Sequence, residues 1–242
     1  MDAIRIENLT KKYKDVVAVD NLNLTVLEGE LFSLLGVNGA GKTTTIKMLS
    51  CITEPSSGDA FLCGKSISKD SASVKSIIAV SPQETAVASG LTVRENLELI
   101  CGVYGFSKEK QNAKIEELTK LLNLDSIVNK KASKLSGGYK RRLSIAMALI
   151  SEPKILFLDE PTLGLDVIAR SDLWDVIRSL KGKITIVLTT HYMEEAEALS
   201  DRVAIMKSGK LIVCETVEKI KEIANTENFE QAFVTIIKGA QV

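Results

Sequence analysis

Ala3 to Leu9 alternates apolar and polar residues, and Leu22 to Val26 does so again. A period of two is what a strand with one buried face requires, so both stretches predict β-strands. Glu28-Gly29-Glu30 then turns the chain into the unbroken apolar run Leu31 to Leu35, and Ile155 to Leu158 and Ile184 to Leu188 repeat that character. Near-continuous apolar strands predict a mainly parallel sheet covered on both faces. Helical spacing fills the intervals: Lys42 to Ser50, Ser136 to Ile150, Val167 to Leu180 and Met193 to Leu199. Val203 to Met206 and Leu211 to Val213 flank Ser208-Gly209 as further short strands, and the segment from Glu215 onward reads as helical.

The middle of the chain breaks this alternation. From about Leu91 the pattern is that of an amphipathic helix, with Thr92 as N-cap and Glu95 at the third position. A second helical stretch runs from about Ser107 to Leu122, so residues 86–135 are expected to form an inserted helical subdomain. The whole chain is then one α/β domain over 1–242, with its core in 1–85 and 136–215 and a short tail at 216–242.

Composition narrows the function classes. Lys and Arg number 31 against 31 Asp and Glu, so no global charge draws the chain to nucleic acid, and no nucleic-acid partner is expected. Cys51, Cys63, Cys101 and Cys214 are scattered and only one histidine is present, which gives no metal framework and suggests reduced thiols. Met1 to Asn8 carries Asp2, Arg5 and Glu7 and so lacks the apolar core of a signal peptide. No run approaches the roughly 20 apolar residues of a membrane span. If the protein works on a membrane, another polypeptide is expected to cross it.

Gly36-Val37-Asn38-Gly39-Ala40-Gly41-Lys42-Thr43 satisfies the G-x-x-x-x-G-K-[ST] pattern between a predicted strand and a predicted helix. Glycines let consecutive N–H groups wrap a phosphate, and the helix N-terminus adds a favourable dipole. Lys42 is placed to supply a charge to the β- and γ-phosphates, Thr43 a hydroxyl to Mg2+, and Thr44 a second contact to phosphate oxygen. Ile155 to Leu158 runs into Asp159-Glu160, and ligands of open α/β sheets bind at the carboxyl ends of strands. Asp159 is the candidate for the metal and Glu160 for the base that activates water.

Leu135-Ser136-Gly137-Gly138 opens another helix with Ser136 at its N-cap, a second place for an anion. Lys140, Arg141 and Arg142 follow in its first turn, against the helix dipole, and Arg141 and Arg142 read equally well as a solvated basic face. Two phosphate-binding helix ends in one domain suggest that the second serves another subunit's nucleotide. His191 follows a strand's carboxyl end and is placed to sense the γ-phosphate. Tyr13, among Lys11, Lys12 and Lys14, could offer a π-face to adenine. Gln83, after Val80-Ser81-Pro82, is by itself an ordinary loop amide.

In this order and spacing the motifs resemble those of the ABC (ATP-binding cassette) ATPases, over essentially Met1 to Val213, and Leu135 to Gly138 is the part that other P-loop proteins lack. The resemblance implies a P-loop NTPase fold with N-terminal antiparallel strands, and ATP and Mg2+ as ligands. It also implies a head-to-tail pair of cassettes in which Gly36 to Thr43 of one and Ser136 to Gly138 of the other enclose each ATP. By the same resemblance Tyr13 stacks on adenine, Gln83 touches Mg2+ and couples to a membrane subunit, His191 is a switch histidine, and Pro161 to Asp166 crosses the dimer interface. Tyr139, where many members have Gln, and Leu163, where Ser is common, depart from the pattern. Thr190 to Leu199 followed by Asp201-Arg202-Val203 looks like the exporter branch that includes drug-resistance, sodium and subfamily A lipid exporters. The implied role is an ATP-hydrolysing subunit on the cytoplasmic face of the cell membrane, powering a separate multi-span permease. The alternative is a soluble ABC ATPase acting on nucleic acid or ribosomes, for which coiled coils or basic arms are missing.

Overall fold

The computed structural model describes residues 1–240; Gln241 and Val242, the end of the 216–242 tail, lie outside the described residues. Two sheets organise the chain. In the first, β1 (Asp2–Tyr13) and β2 (Val16–Leu27) form a long antiparallel hairpin, β4 (Ser57–Leu62) pairs with the other edge of β1, and β5 (Lys65–Ser66) completes the order β2-β1-β4-β5. The hairpin strands extend well past the alternating stretches in the sequence. Register shifts between Ile6 and Lys12 break the period of two there, which hides the strand from a reading of polarity alone.

The second sheet has the order β10-β9-β3-β8-β7-β6. Its members are β3 (Leu31–Gly36), β6 (Ile78–Ser81), β7 (Ile155–Asp159), β8 (Thr185–Thr190), β9 (Arg202–Lys207) and β10 (Lys210–Glu215). All neighbours are parallel except β10, which folds back on β9 through Ser208-Gly209. The central strands are buried along their whole length because both faces are covered. Leu156 and Leu158 of β7 and Ile186 and Leu188 of β8 face one core, whereas Ile155, Phe157 and Val187 face another.

The first core contains α3 (Val93–Val103), α4 (Lys108–Leu121), α5 (Gly137–Leu149) and α6 (Val167–Leu180), packed through residues such as Leu97, Leu118, Ile145 and Ile177. The second lies between the two sheets and takes in Ile46, Met48 and Leu49 of α1 (Lys42–Leu49). A third, smaller core joins Leu35 and Ile205 to α7 (Met193–Leu199), α8 (Val217–Ile223) and α9 (Phe229–Gly239). The tail is thus helical and packed, as its pattern predicts. A one-turn helix, α2 (Ser71–Lys75), has no counterpart in the sequence reading.

Thr92 caps α3 as its spacing predicts. Its hydroxyl accepts from Glu95 N at 3.2 Å, and Glu95 Oε2 accepts from Thr92 N at 2.7 Å, so two donors that a helix start leaves open are satisfied reciprocally. Ser107 caps α4 by a single bond, its hydroxyl accepting from Lys110 N. One boundary differs usefully: β8 continues through Thr189 and Thr190, beyond the apolar residues. These β-branched residues pair with Leu34 and Leu35 of β3 and are buried because their hydroxyls find partners at the strand end.

Candidate functional site

The loop leaving β3 is shaped by what lies against it. A Cβ on Gly36 would stand 2.5 Å from Met206 O, and one on Gly41 would stand 2.5 Å from Ala18 O. Gly41 also has φ 102, a left-handed backbone that side chains resist, and it directly precedes α1. Lys42 folds back inside this loop, its ammonium donating to Gly36 O at 2.7 Å and Val37 O at 3.3 Å. Burial pushes its pKa below the usual 10.5, and the nearby Glu160 and Asp159 carboxylates pull the other way.

At the end of β7, Asp159 Oδ1 accepts from Thr43 Oγ1 at 3.1 Å and from Thr189 Oγ1 at 2.5 Å. Glu160 has φ 46, a conformation that costs a non-glycine residue on the order of 1–3 kcal/mol. Its N–H donates to Thr189 O at 3.1 Å and lies 3.0 Å from Thr189 Oγ1, and this anchorage holds the backbone in that state. The carboxylate then sits between two basic side chains. Lys42 Nζ is 3.8 Å from Oε1, and His191 Nδ1 is 3.1 Å from Oε2, off hydrogen-bond geometry, so that Nδ1 has no aligned partner.

These groups open onto a cleft of about 830 Å³. Asn38 to Thr44, Gln83, Glu160 and His191 line it together, so residues distant in sequence converge there. Gly36 and Val37 lie beneath the loop as acceptors for Lys42, and Asp159 stands behind Thr43. Tyr13 is not brought in. Its ring is exposed with Lys11 Nζ 5.0 Å above it, while Val16, Val17 and Ala18 form the wall on the hairpin side. Leu163 and Ser208 also face the cleft.

Ser136, Gly137 and Gly138 are absent from that lining. Ser136 caps α5 by position, with extended backbone, and its exposed hydroxyl makes no capping hydrogen bond. A Cβ on Gly138 would stand 3.0 Å from Ala169 Cβ, so this turn packs closely on α6. Asp166 caps α6, its Oδ1 accepting from Ala169 N at 2.8 Å.

The solvated basic face expected for Arg141 and Arg142 is not what forms. Arg141 is 4% exposed and donates to Pro82 O at 2.6 Å, Gln83 O at 2.7 Å and Glu160 O at 3.3 Å. Arg142 is buried and pairs with Asp172 of α6 at 2.7 Å. Residues 141–146 of α5 are buried without interruption, so the helix is enclosed on most sides and polarity alone does not mark the two arginines as buried. Thr189, which joins Asp159 to Glu160, was also missed, and a threonine at a strand end carries no mark of such a role.

Thr43 and Asp159 offer hard oxygen donors side by side, which fits Mg2+, an ion that takes one or two protein oxygens and completes its shell with phosphate and water. Among the described residues no group of three His, Cys, Asp or Glu could hold a metal by itself.

A family model described as ABC transporter matches residues 19–163. Human phospholipid-transporting ATPase ABCA3 is 42% identical over 215 residues, which cover 87% of this chain and 13% of that protein. The probable multidrug ABC transporter ATP-binding protein YbhF of Escherichia coli strain K12 is 40% identical over 240 residues, 97% of this chain and 41% of YbhF. The chain therefore spans less than half the length of either relative. Among solved structures, the ATP-binding cassette MJ0796, a dimer in a post-hydrolysis state bound to ADP and Pi, superposes with a TM-score of 0.78 at 28% identity, covering 88% of this chain and 98% of that one. A family match over more than half of the residues, on a fold shared with a cassette of the same kind, makes this chain a member of the ABC transporter family and one of its ATP-binding domains.

Proposed function

We propose that the chain binds ATP with Mg2+ and hydrolyses it to drive transport through a separate multi-span permease, as one of two paired cassettes on the cytoplasmic face of the cell membrane. The observation that carries this reading is Glu160, a carboxylate held within 4 Å of both Lys42 and His191 at the mouth of the phosphate loop. In the mechanism, loop N–H groups and the start of α1 bind the phosphates, and Lys42 exchanges its carbonyl partners for phosphate oxygens. Thr43 and Asp159 would hold Mg2+, with Gln83 at the cleft wall beside them. The metal's contribution is to neutralise phosphate charge. Glu160 accepts a proton from water as the water oxygen attacks the γ-phosphorus and the bond to the β-phosphate oxygen breaks, leaving ADP and phosphate. His191 then steadies the developing charge. Val16 and Val17 supply an apolar wall for the base, the role that the resemblance assigns to Tyr13.

Pairing is supported by Ser136 to Gly138, whose place outside the chain's own cleft leaves them free to face a second cassette's nucleotide. Among the described residues no helix is long and apolar enough to cross a membrane. An apolar groove of about 520 Å³ beside Pro82, lined by Ile100, Val103, Tyr104 and Met147, suits a permease segment. It adjoins Gln83, which links docking to the nucleotide. Residues 86–135 would act as the helical arm of a core made of 1–85 and 136–215. The relatives named for phospholipid and multidrug transport favour export.

Glu160→Gln is the test. ATP affinity should be retained while turnover falls by about 100-fold or more, the usual contribution of a general base. Wild-type turnover in that variant overturns the assignment.

A further inference from the structure

Beneath the His191 loop lies a carboxyl that this chemistry does not use. Glu195, in the first turn of α7, is fully buried. Trp174 of α6 donates its indole N–H to Oε1 at 3.2 Å, while Oε2 has no aligned hydrogen bond. The hydroxyls of Thr190 and Thr162 lie near this carboxyl but make no aligned hydrogen bond to it. Thr162 is fully buried and its hydroxyl, like Oε2, lacks an aligned partner. Thr190 is tied to the loop that follows, its hydroxyl accepting from Tyr192 N at 2.9 Å. Arg170 of α6 adds a positive charge nearby, stacked 4.9 Å from the Tyr192 ring centroid. Burial pushes the Glu195 carboxyl above its ordinary range, against the opposing pull of Thr190, Thr162, Trp174 and Arg170.

An apolar side chain of similar size would fill this place without the desolvation cost of a carboxyl. What the carboxyl organises is specific. Thr162 lies two residues after Glu160, and Thr190 immediately precedes His191. One buried group therefore lies near both loops that carry the hydrolytic pair and is itself fastened to α6 through Trp174.

We propose that Glu195 is a positioning residue for hydrolysis: by tying the first turn of α7, four residues after His191, to Trp174 of α6, it sets the approach of His191 to Glu160. The proposal rests on the reading of Glu160 as the base, so Glu160→Gln is measured alongside it. Removing the carboxyl leaves the part-buried indole N–H without its partner in a low-dielectric surrounding.

The full chain is assayed for steady-state kcat and KM with ATP as wild type, Glu195→Gln, Glu195→Ala and Trp174→Phe. Emission of Trp174, the chain's single tryptophan, is recorded with and without ATP. Glu195→Ala should lower kcat by about 10–100-fold with KM within about twofold, because misplacement acts on the reacting geometry rather than on nucleotide binding. Glu195→Gln keeps the shape and an acceptor for the indole, and should restore kcat to within about threefold of wild type. Emission should shift in Glu195→Ala and stay close to wild type in Glu195→Gln.

A kcat for Glu195→Ala within about twofold of wild type, a loss confined to KM, or a Gln variant as impaired as Ala overturns the proposal. If Glu195→Ala does not fold, Trp174→Phe, which removes the donor of that hydrogen bond, decides: a lowered kcat with unchanged KM supports the proposal, and an unchanged kcat overturns it. Inactive Glu160→Gln beside fully active Glu195→Ala removes this proposal alone. Wild-type turnover in Glu160→Gln removes the base assignment instead.

Discussion

Replacing Arg141 with Met removes a buried guanidinium while nearly preserving the volume of its aliphatic stem. Two short hydrogen bonds disappear, to Pro82 O at 2.6 Å and Gln83 O at 2.7 Å, together with a longer one to Glu160 O at 3.3 Å. Hydrogen bonds to a charged partner are each worth about 1.5–3 kcal/mol net, so the two short ones represent about 3–6 kcal/mol. Part of that is offset because Met carries no buried charge, and burial already works against the Arg141 cation. The expected net loss is about 2–4 kcal/mol, a Tm drop of about 4–16 °C for a chain of this size. Calorimetry and thermal melts measure it directly. Lys140→Met is the control: Lys140 is the preceding residue, and its side chain has no polar partner among the described residues, so its loss should stay within about 0.5 kcal/mol. Because the freed carbonyls belong to Gln83 and Glu160, kcat at a temperature where both proteins are folded should also fall in Arg141→Met. A melt within about 1 °C of wild type would refute the reasoning, since no reading of Arg141 as a buried three-carbonyl donor allows so small a change.

Thr92→Ala removes one half of the capping box and should cost about 1 kcal/mol by thermal melt, leaving the KM for ATP unchanged. Gly41→Ala forces a methyl to 2.5 Å from Ala18 O at φ 102, and should cost at least about 2 kcal/mol and weaken ATP binding in a nucleotide titration. Glu195 gives a pH dependence with a definite sign. Its folded pKa is raised, chiefly by burial, so the folded state binds its proton more tightly than the unfolded chain, whose carboxyl titrates near 4.5. This contribution is fully present below that value and is lost as pH rises toward the folded pKa. Glu195→Gln cannot ionise, so melts of the two proteins from acid to neutral pH should diverge in favour of the variant; parallel curves would contradict the shift.

The amino-acid sequence by itself determined the local features. The strand-loop-helix around Lys42, the cap at Thr92, the apolar strands ending at Asp159 and before His191, and the helical tail are all written in spacing and residue type. Each depends on backbone conformation or on which side of one element is apolar, and neighbouring residues set those. Only the tertiary structure decided the rest. The strand order β10-β9-β3-β8-β7-β6 brings the ends of β3, β7 and β8 together, and with them Lys42, Glu160 and His191. It also seats Val16 to Ala18 at the cleft, and it buries Arg141, Thr189 and Glu195. A polar side chain reads as solvated until its partner is known. Arg141 finds its acceptors 19, 58 and 59 residues away and Trp174 lies 21 residues from Glu195, at separations set by packing between elements rather than by the period of any one of them.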